Sequence, residues 1–390
     1  MSTRLFAKRV RALDKETSLA MLARAKEMEA AGRKIIHLEI GEPDFETPQN
    51  VIQAGMQALQ RGYTHYGPSP GLPQARQAIA KHISADRGVD VDADQVVITP
   101  GAKAIIFFSV LALVESGDEV IFPSPGFPNY EMTVELLGGK PVALPLLEKD
   151  DFSIDLDRLE SLVTENTKLC VINSPHNPTG SVLSREVLEG VVDIARRHDF
   201  YILSDEIYSK IVYEGTHASV YSIPGARECT ILLDGHSKTY AMTGWRLGYG
   251  VMPEDLAVKL SQVAGNSTSC TCSFTQIAGI EALAGPQDSV TAMVEEFRIR
   301  RDIMVEGLNR IPGFRCRKPT GAFYVFPNIT ATKMTSRKLT DYLLSEAGVA
   351  VLSGTTFGEY GEGYIRISYA NSQNNIRRAL DSITSALDAL

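Results

Sequence analysis

One lysine of the sequence stands in a segment where its amine could act as a nucleophile. Lys238 follows Ser237, and Arg246 lies eight positions further along the chain. A lysine amine condenses with an aldehyde to form a Schiff base, provided that burial and neighbouring positive charge lower its pKa. An arginine binds phosphate through a forked pair of hydrogen bonds. The segment therefore predicts a site for an aldehyde cofactor that carries a phosphate, such as pyridoxal phosphate (PLP).

A carboxylate that could serve the same cofactor comes earlier in the chain. The apolar run 201–203 predicts a short strand, and Asp205, Glu206 and Tyr208 follow it. In an open α/β sheet, ligands bind at the carboxyl ends of the strands. A carboxylate in that position can keep a pyridine nitrogen protonated. Each segment alone is common, because most lysines are solvated and an Asp-Glu pair often caps a helix.

The elements that must position these residues follow an α/β pattern. Short apolar runs alternate with helix-length amphipathic segments, which predicts βα units on a mostly parallel sheet. The predicted strands are 96–98, 119–122, 169–172, 201–203 and 231–233, and two of the predicted helices are 102–114 and 184–197. After Gly285 the pattern changes to a long charged helix, short strands around 321–326 and a final helix from 374 to about 387. This change predicts a second, α+β domain.

The composition excludes several classes of protein. A chain of 390 residues exceeds the usual size of one core, which favours two domains or one large domain with an appendage. The net charge of −8 disfavours nucleic acid as a partner. No apolar stretch approaches the ~18 residues of a membrane span, and the N-terminus has no signal-peptide pattern, so we expect a cytoplasmic protein. Five scattered cysteines predict neither a disulfide framework nor a metal site.

The order of the motifs is more specific than any one of them. The segment 173–180, which reads Asn-Ser-Pro-His-Asn-Pro-Thr-Gly, precedes Asp205 and Lys238. With it, the chain from about Leu38 to Ala370 resembles the fold-type I PLP-dependent aminotransferases, and within them the bacterial aspartate and aromatic aminotransferases. The resemblance implies PLP as cofactor and a large domain with a mostly parallel sheet beside a smaller, discontinuous α+β domain. The expected division is an N-terminal arm at 1–16, a small domain at 17–47 and 290–390, and a large PLP-binding domain at 48–289.

The resemblance also implies a role for each cofactor-binding residue. Lys238 forms the Schiff base, Asp205 pairs with the pyridine nitrogen, and Phe127 stacks on the pyridine ring. Asn177 and Tyr208 hydrogen-bond the phenolic oxygen of the cofactor. The phosphate is bound by Arg246 and by the turn that opens a helix, where backbone amides and the helix dipole face an anion. The residues expected at the phosphate are Gly101, Ala102, Lys103, Ser237 and Arg246.

Substrate contacts follow from the same resemblance. Arg366 corresponds to the arginine that binds the α-carboxylate, and Gly41 and Asn177 complete that contact. Lys103 stands where some relatives place a lysine near a distal carboxylate, which favours an acidic donor, although a basic, aromatic or specialised amino acid stays open. For the cofactor phosphate, Tyr66 corresponds to a tyrosine that the second subunit donates, so we expect a homodimer with shared active sites.

The expected activity is the transfer of an α-amino group from an L-amino acid to a 2-oxo acid by a ping-pong mechanism, with Lys238 moving the proton. Three departures from the family pattern leave an alternative open. Gly235 replaces a serine that contacts phosphate in many relatives, so this contact is missing or moved to Ser237. His236 and Cys270 are also unusual. The alternative is a non-transaminating PLP enzyme of the same fold, such as a lyase, an oxidase or an enzyme that forms carbon–carbon bonds. A non-enzymatic regulator is disfavoured by the acidic chain.

Overall fold

The computed structural model describes residues 7–11 and 18–389. Most of the expected N-terminal arm, namely residues 1–6 and 12–16, lies outside the described residues. The described helices are α1 (Lys8–Arg11), α2 (Ser18–Ala30), α3 (Gln49–Gln60), α4 (Pro73–Arg87), α5 (Lys103–Leu113), α6 (Asn129–Leu137), α7 (Leu156–Leu162), α8 (Arg185–His198), α9 (His236–Thr239), α10 (Glu254–Thr268), α11 (Ser273–Ala284), α12 (Asp288–Arg310), α13 (Ser336–Tyr342) and α14 (Gln373–Asp388).

The strands form three sheets within the described residues. They are β1 (Ile36–His37), β2 (Val96–Thr99), β3 (Glu119–Ser124), β4 (Lys140–Pro145), β5 (Thr167–Asn173), β6 (Tyr201–Asp205), β7 (Thr230–Gly235), β8 (Gly248–Val251), β9 (Tyr324–Val325), β10 (Val349–Ala350), β11 (Leu352–Ser353) and β12 (Ile365–Ser368). The main sheet has the order β2-β8-β7-β6-β5-β3-β4. The smaller sheets have the orders β11-β12-β9 and β1-β10.

The main sheet is mostly parallel, as the sequence predicts. The pairs β3-β4, β3-β5, β5-β6 and β6-β7 are parallel, whereas β8 runs antiparallel to both β2 and β7. The central strands are almost continuously apolar because helices cover both faces of such a sheet. Every residue of β2, β3 and β7 is buried.

Helix α8 shows how the local sequence sets the boundaries of an element. The side chain of Ser184 caps its first turn by accepting a hydrogen bond from the backbone N–H of Val187. Leu188, Val191 and Ile194 recur at helical spacing and are buried. The last turn ends in basic residues, which suit the negative end of the helix dipole.

Two strands of the main sheet escaped prediction from the sequence. Strand β4 begins with a lysine and contains Pro141 and Pro145, and proline weakens the signal of a strand. Strand β8 contains Gly248 and Gly250, and glycine weakens a strand signal. Both strands form because neighbouring strands supply partners, which no local pattern reports. Among the described helices, none is long and apolar enough to cross a bilayer.

Candidate active site

The segments that the sequence singles out lie together at the carboxyl ends of the central strands, along one edge of the main sheet. Asn173 at the end of β5 is in register with Asp205 at the end of β6, and Gly235 at the end of β7 is in register with Gly248. A cavity of about 280 Å³ lies at this edge. Its lining residues are Gly41, Ala102, Lys103, Ile106, Phe127, Tyr130, Asn173, Asn177, Asp205, Ile207, Tyr208, Leu233, Ser237, Lys238, Thr243, Arg246, Tyr324 and Arg366.

Lys238 lies on the short helix α9, directly after strand β7. Its Nζ donates a hydrogen bond of 2.6 Å to the backbone carbonyl of Gly41. Burial lowers the pKa of Lys238 to about 8, although the carboxylate of Glu42 opposes the shift. Three positive charges nearby lower the pKa further: Arg366, Arg246 and Lys103. More unprotonated amine is therefore present near neutral pH than in an ordinary lysine, which favours condensation with an aldehyde.

Asp205 is buried at the end of β6. Its Oδ2 accepts a hydrogen bond of 2.7 Å from the hydroxyl of Tyr130, and its Oδ1 accepts one of 3.2 Å from the backbone N–H of Ile207. Burial raises the pKa of Asp205 to about 6, and these hydrogen bonds oppose the shift. Neutral donors rather than an ion pair hold this buried carboxylate, so it is well suited to bind a protonated ring nitrogen.

Three expected ring contacts also line the cavity: Asn177, Tyr208 and Phe127. The backbone N–H of Asn177 donates to the side-chain oxygen of Asn173 at 2.9 Å. The side-chain oxygen of Asn177 is buried and has no hydrogen-bond partner among the described residues. The ring of Phe127 meets that of Tyr130 edge to face, with 5.6 Å between the centroids. These groups bring a planar apolar surface and amide and hydroxyl groups to the same space.

The expected phosphate contacts gather where α5 begins. Gly101 has a φ of 87°, and a Cβ atom there would overlap the guanidinium of Arg246. Only glycine adopts this conformation readily and leaves space for the arginine. Nη1 of Arg246 donates to the carbonyl of Thr243 at 2.9 Å, which orients the guanidinium. Ala102, Lys103, Ser237 and Arg246 line the cavity, whereas Gly101 does not.

Arg366 lies on β12 and is only 4% exposed. Its Nη2 donates to the backbone carbonyl of Glu39, and its Nε has no hydrogen-bond partner among the described residues. The guanidinium lies over two aromatic rings, 4.7 Å from the centroid of Tyr324 and 5.2 Å from that of Phe357. A buried arginine with an unused donor that lines a cavity is suited to bind a carboxylate.

Lys103 and Gly41, the remaining residues expected to contact the substrate, also line the cavity. Nζ of Lys103 is 5.4 Å from the ring centroid of Phe127, and much of its side chain reaches solvent. Partial burial of the ammonium, together with the charge of Arg246, lowers the pKa of Lys103. At Gly41 a Cβ atom would overlap the hydroxyl of Tyr324, so the chain can pass close to the cavity only without a side chain.

Tyr66 is an expected cofactor residue that lies outside the cavity of the single chain. Its side chain is 91% exposed and does not line the cavity. The loop around it is held by the hydroxyl of Ser273, which donates to the carbonyl of His65 at 3.2 Å.

The three departures from the family pattern have structural explanations. At Gly235 a Cβ atom would come within 2.9 Å of the Cα of Gly248, so no larger residue fits between β7 and β8. His236 is buried beside the carbonyl of Gly279, and burial lowers its pKa to about 4. The sulfur of Cys270 accepts a hydrogen bond of 3.4 Å from the backbone N–H of Gly67. None of the three residues lines the cavity.

Sequence reasoning missed Tyr130 and Tyr324, which line the cavity. Tyr130 stands in the segment after Phe127, but nothing local indicates that its hydroxyl reaches Asp205, 75 residues away. Tyr324 lies in a run of aromatic residues that reads as a core strand. Its hydroxyl is 2.8 Å from that of Tyr208, 116 residues away.

The described residues fit PLP. The cavity combines an amine of lowered pKa, a buried carboxylate and an arginine behind a glycine turn. The unused Nε of Arg366 and the unpartnered oxygen of Asn177 offer further polar contacts.

Comparison with known proteins identifies the family. The sequence profile of the family "Aminotransferase class I and II" matches residues 33–383. An aspartate aminotransferase of Pyrococcus horikoshii is 41% identical over 385 residues, which cover 98% of this chain and 97% of that protein. Aromatic-amino-acid aminotransferase 2 of Thermococcus litoralis is 40% identical over 90% of this chain and 92% of that protein. The structure of aspartate aminotransferase from Thermus thermophilus with maleate has a TM-score of 0.93 at 37% identity and covers 98% of this chain and 99% of that one.

The chain therefore belongs to the aminotransferase class I and II family and has the fold of the type I PLP-dependent enzymes. It is a PLP-dependent aminotransferase, as the order of its motifs predicts. Its substrates are accordingly amino acids and 2-oxo acids. The named relatives are all aminotransferases, so nothing favours the non-transaminating alternative.

Proposed function

We propose that the cavity at the edge of the main sheet is the active site, with Lys238 as its catalytic residue. The observation that carries this proposal is the convergence of Lys238, Asp205 and Arg366 on one space. Asp205 would hold the ring nitrogen of PLP, and Asn177 and Tyr208 its phenolic oxygen, with Phe127 against the ring. The residues assigned to the phosphate are Gly101, Ala102, Lys103, Ser237, Arg246 and, from a second subunit, Tyr66.

When bound, PLP supplies an electron sink that makes the Cα proton of an amino acid acidic. The residues of the chain do the rest of the work. Arg366, with Gly41 and Asn177, fixes the α-carboxylate, so the Cα–H bond is held in one orientation. Lys238 accepts the proton from Cα as a base and then donates it to a different atom as an acid. A pKa of about 8 suits a group that must do both near neutral pH.

We infer that the donor is an acidic L-amino acid. Lys103 supports this because its ammonium lies at the cavity, beside Phe127, and can pair with a distal carboxylate. The aspartate aminotransferase of P. horikoshii, at 41% identity, supports the same inference. The aromatic aminotransferase of T. litoralis, at 40% identity, is a reason to test aromatic donors beside acidic ones.

A panel of donors tests this inference. Each of aspartate, glutamate, alanine and phenylalanine is added without acceptor to the PLP-loaded protein, and loss of the visible band measures the half-reaction. We expect Lys103→Ala to lower kcat/KM for the acidic donors at least about tenfold, because a charge-assisted hydrogen bond contributes about 1.5–3 kcal/mol. Alanine should be little affected.

Two controls accompany the panel. Lys81→Ala removes an exposed lysine outside the cavity and should leave every rate unchanged. Lys238→Ala should abolish the half-reaction with every donor. Negligible rates with aspartate and glutamate in the unaltered protein would reject an acidic donor, and normal rates in Lys238→Ala would reject the active site.

We propose that the enzyme is a homodimer whose subunits share their active sites. The 91% exposure of Tyr66 supports this, since a tyrosine so exposed has no packing role in a single chain. Helix α3 adds two exposed apolar side chains, Met56 at 49% and Leu59 at 44%. Met56 and Leu59 are three positions apart and so share one face of α3, and exposed apolar side chains that share a face are typical of a surface that a partner covers.

We further propose the domain division that the sequence predicts: an arm at 1–16, a small domain at 17–47 and 290–390, and a large domain at 48–289. The pairing of β1 with β10 supports a small domain built from both ends of the chain. We also propose a cytoplasmic location. All five cysteines are free thiols, which suits a reducing compartment.

A further inference from the structure

Tyr324 is a buried tyrosine of the proposed active site. It lies on β9, where it is in register with Ser368 of β12, and is 1% exposed. Its side chain lines the cavity. A buried tyrosine hydroxyl needs a hydrogen-bond partner, and the identity of that partner determines what the residue can influence.

The hydroxyl of Tyr324 is paired with the hydroxyl of Tyr208. The two oxygens are 2.8 Å apart, and the two rings meet edge to face at 85° with 5.7 Å between their centroids. A hydroxyl can donate one hydrogen bond while it accepts others. When Tyr208 donates to a ligand in the cavity, its oxygen is free to accept from Tyr324. Chained hydrogen bonds polarise one another, so Tyr324 would make Tyr208 a stronger donor.

The ring of Tyr324 has a separate contact with Arg366. Its centroid is 4.7 Å from the guanidinium carbon, and Phe357 lies on Arg366 at 5.2 Å. Aromatic faces attract a guanidinium, and the attraction is stronger at a desolvated site such as this one. The two rings therefore restrict the orientation of the guanidinium that is proposed to bind the substrate carboxylate.

Tyr324 also explains the requirement for glycine at position 41. A side chain at Gly41 would overlap the tyrosine hydroxyl, and the carbonyl of Gly41 accepts the hydrogen bond from Lys238. One residue thus touches the chain segment beside the lysine, the tyrosine beside the cofactor ring and the arginine beside the substrate.

We propose that Tyr324 is a positioning residue with two separable functions. Its hydroxyl strengthens the hydrogen bond that Tyr208 donates to the phenolic oxygen of PLP, and its ring holds Arg366 in the orientation that binds the substrate carboxylate. The inference rests on the proposed roles of Tyr208 and Arg366. A residue of the three-stranded sheet would then orient both a cofactor-binding and a substrate-binding side chain.

Two substitutions separate the functions. Tyr324→Phe keeps the ring and removes the hydroxyl. A donated hydrogen bond stabilises negative charge on the phenolic oxygen, so its weakening should raise the pH midpoint of the visible absorbance change of the loaded protein, by on the order of half to one unit. The KM for the donor should change less than about twofold, because the ring is kept. Tyr324→Leu also removes the ring and should raise that KM about three- to tenfold.

Controls distinguish failure of this inference from failure of the proposed function. Tyr369→Phe removes another buried hydroxyl, which contacts Tyr213 and the carbonyl of Ala322, and should leave the midpoint and KM unchanged. Tyr208→Phe should raise the midpoint more than Tyr324→Phe, and the double variant should equal Tyr208→Phe alone.

Each outcome has a defined meaning. If Tyr208→Phe does not move the midpoint, the proposed role of Tyr208 is wrong. If Tyr208→Phe moves the midpoint but Tyr324→Phe does not, or if the shifts of the two variants simply add, the hydroxyl function of Tyr324 is overturned. If Tyr324→Leu binds the donor with unaltered KM, the ring function is overturned. The pH titration needs only the protein with PLP bound. If Tyr324→Leu folds poorly, Tyr324→Phe still tests the hydroxyl function, because it keeps the shape of the core.

Discussion

At the scale of single residues, the environment of Asp205 shows how burial prepares a carboxylate for a cation. Desolvation raises its pKa to about 6, while Tyr130 and the backbone N–H of Ile207 stabilise the charged form. A pyridinium nitrogen would lower that pKa again, because an opposite charge favours the ionised carboxylate. Cofactor affinity should consequently weaken as the pH falls below about 6.

We expect Asp205→Asn to lower kcat/KM at least about a hundredfold, since a neutral amide cannot hold the ring nitrogen in its protonated form. Asp205→Glu keeps the charge and should lose less. Steady-state kinetics, with fluorescence titration of PLP into the cofactor-free protein, would measure both effects. Asp193→Asn, which alters an exposed carboxylate on α8, serves as the control. Full activity of Asp205→Asn would show that Asp205 only caps the turn at Ile207.

At the scale of elements, a buried ionic cluster joins α4 to the strands that carry the active-site residues. The side chain of Arg87, at the end of α4, is 5% exposed and lies 2.9 Å from Glu206 and 3.6 Å from Asp234. Glu206 follows β6, and Asp234 lies near the end of β7. Because Asp205 and Lys238 are close to these carboxylates in sequence, the cluster fixes the edge of the sheet where the cavity lies.

We predict that Arg87→Met lowers the free energy of unfolding by about 3–5 kcal/mol, because it leaves buried carboxylates without their cation. Arg185→Met is the matched control: Arg185 also pairs with a glutamate, but at an exposed position on α8, and its loss should cost about 1 kcal/mol or less. Urea unfolding at pH 7 measures both. Equal, small losses in the two variants would contradict the structural importance of the cluster.

The pH dependence of the cluster has two parts of opposite sign. Burial would raise the pKa of Glu206, but Arg87 and His217 hold it at about 2. This stabilisation is present above the ordinary value of 4.5 and is lost as the pH falls towards 2. Burial raises the pKa of Asp234 to about 7, so its contribution is present below 3.8 and is lost as the pH rises through 7. In unfolding measurements, Asp234→Asn should remove the loss of stability that accompanies a rise in pH through 7. It should keep the loss that accompanies a fall in pH towards 2.

At the scale of the whole molecule, the proposed dimer can be tested by mixing inactive variants. Tyr66→Ala and Lys238→Ala each spoil a different contribution to a shared site. In hybrid dimers the two contributions would combine into one native site, so an equal mixture should recover roughly a quarter of the activity of the unaltered enzyme. Activity is measured after subunit exchange.

The control for mixing uses two residues of the same subunit's site. Lys238→Ala mixed with Asp205→Asn gives hybrids without a native site, because each site keeps one lesion. Recovery in this control, or a protein that is monomeric by sedimentation and fully active, would contradict the shared site.

Much of the site could be predicted from the sequence because its motifs are local. Lys238 and Arg246 share one segment, as do Asp205 and Tyr208, and each segment follows an apolar run that predicts a central strand. Parallel strands place their carboxyl ends at one edge, so these segments had to converge once the sheet formed. The order of the motifs sufficed for the family, the cofactor and the fold class, which the comparisons confirm.

The tertiary structure alone decided which distant side chains meet. Tyr324 and Tyr208 are 116 residues apart, and Lys238 and Gly41 are 197 apart. Strand β8 and the edge strand β4 likewise depend on neighbouring strands, since glycine and proline weaken their local signals. Periodicity reports which face of an element is buried, but the partner across the core depends on how whole elements pack. Packing therefore determined the hydroxyl pair and the environment of Arg366, while the local sequence determined the residues that flank each strand.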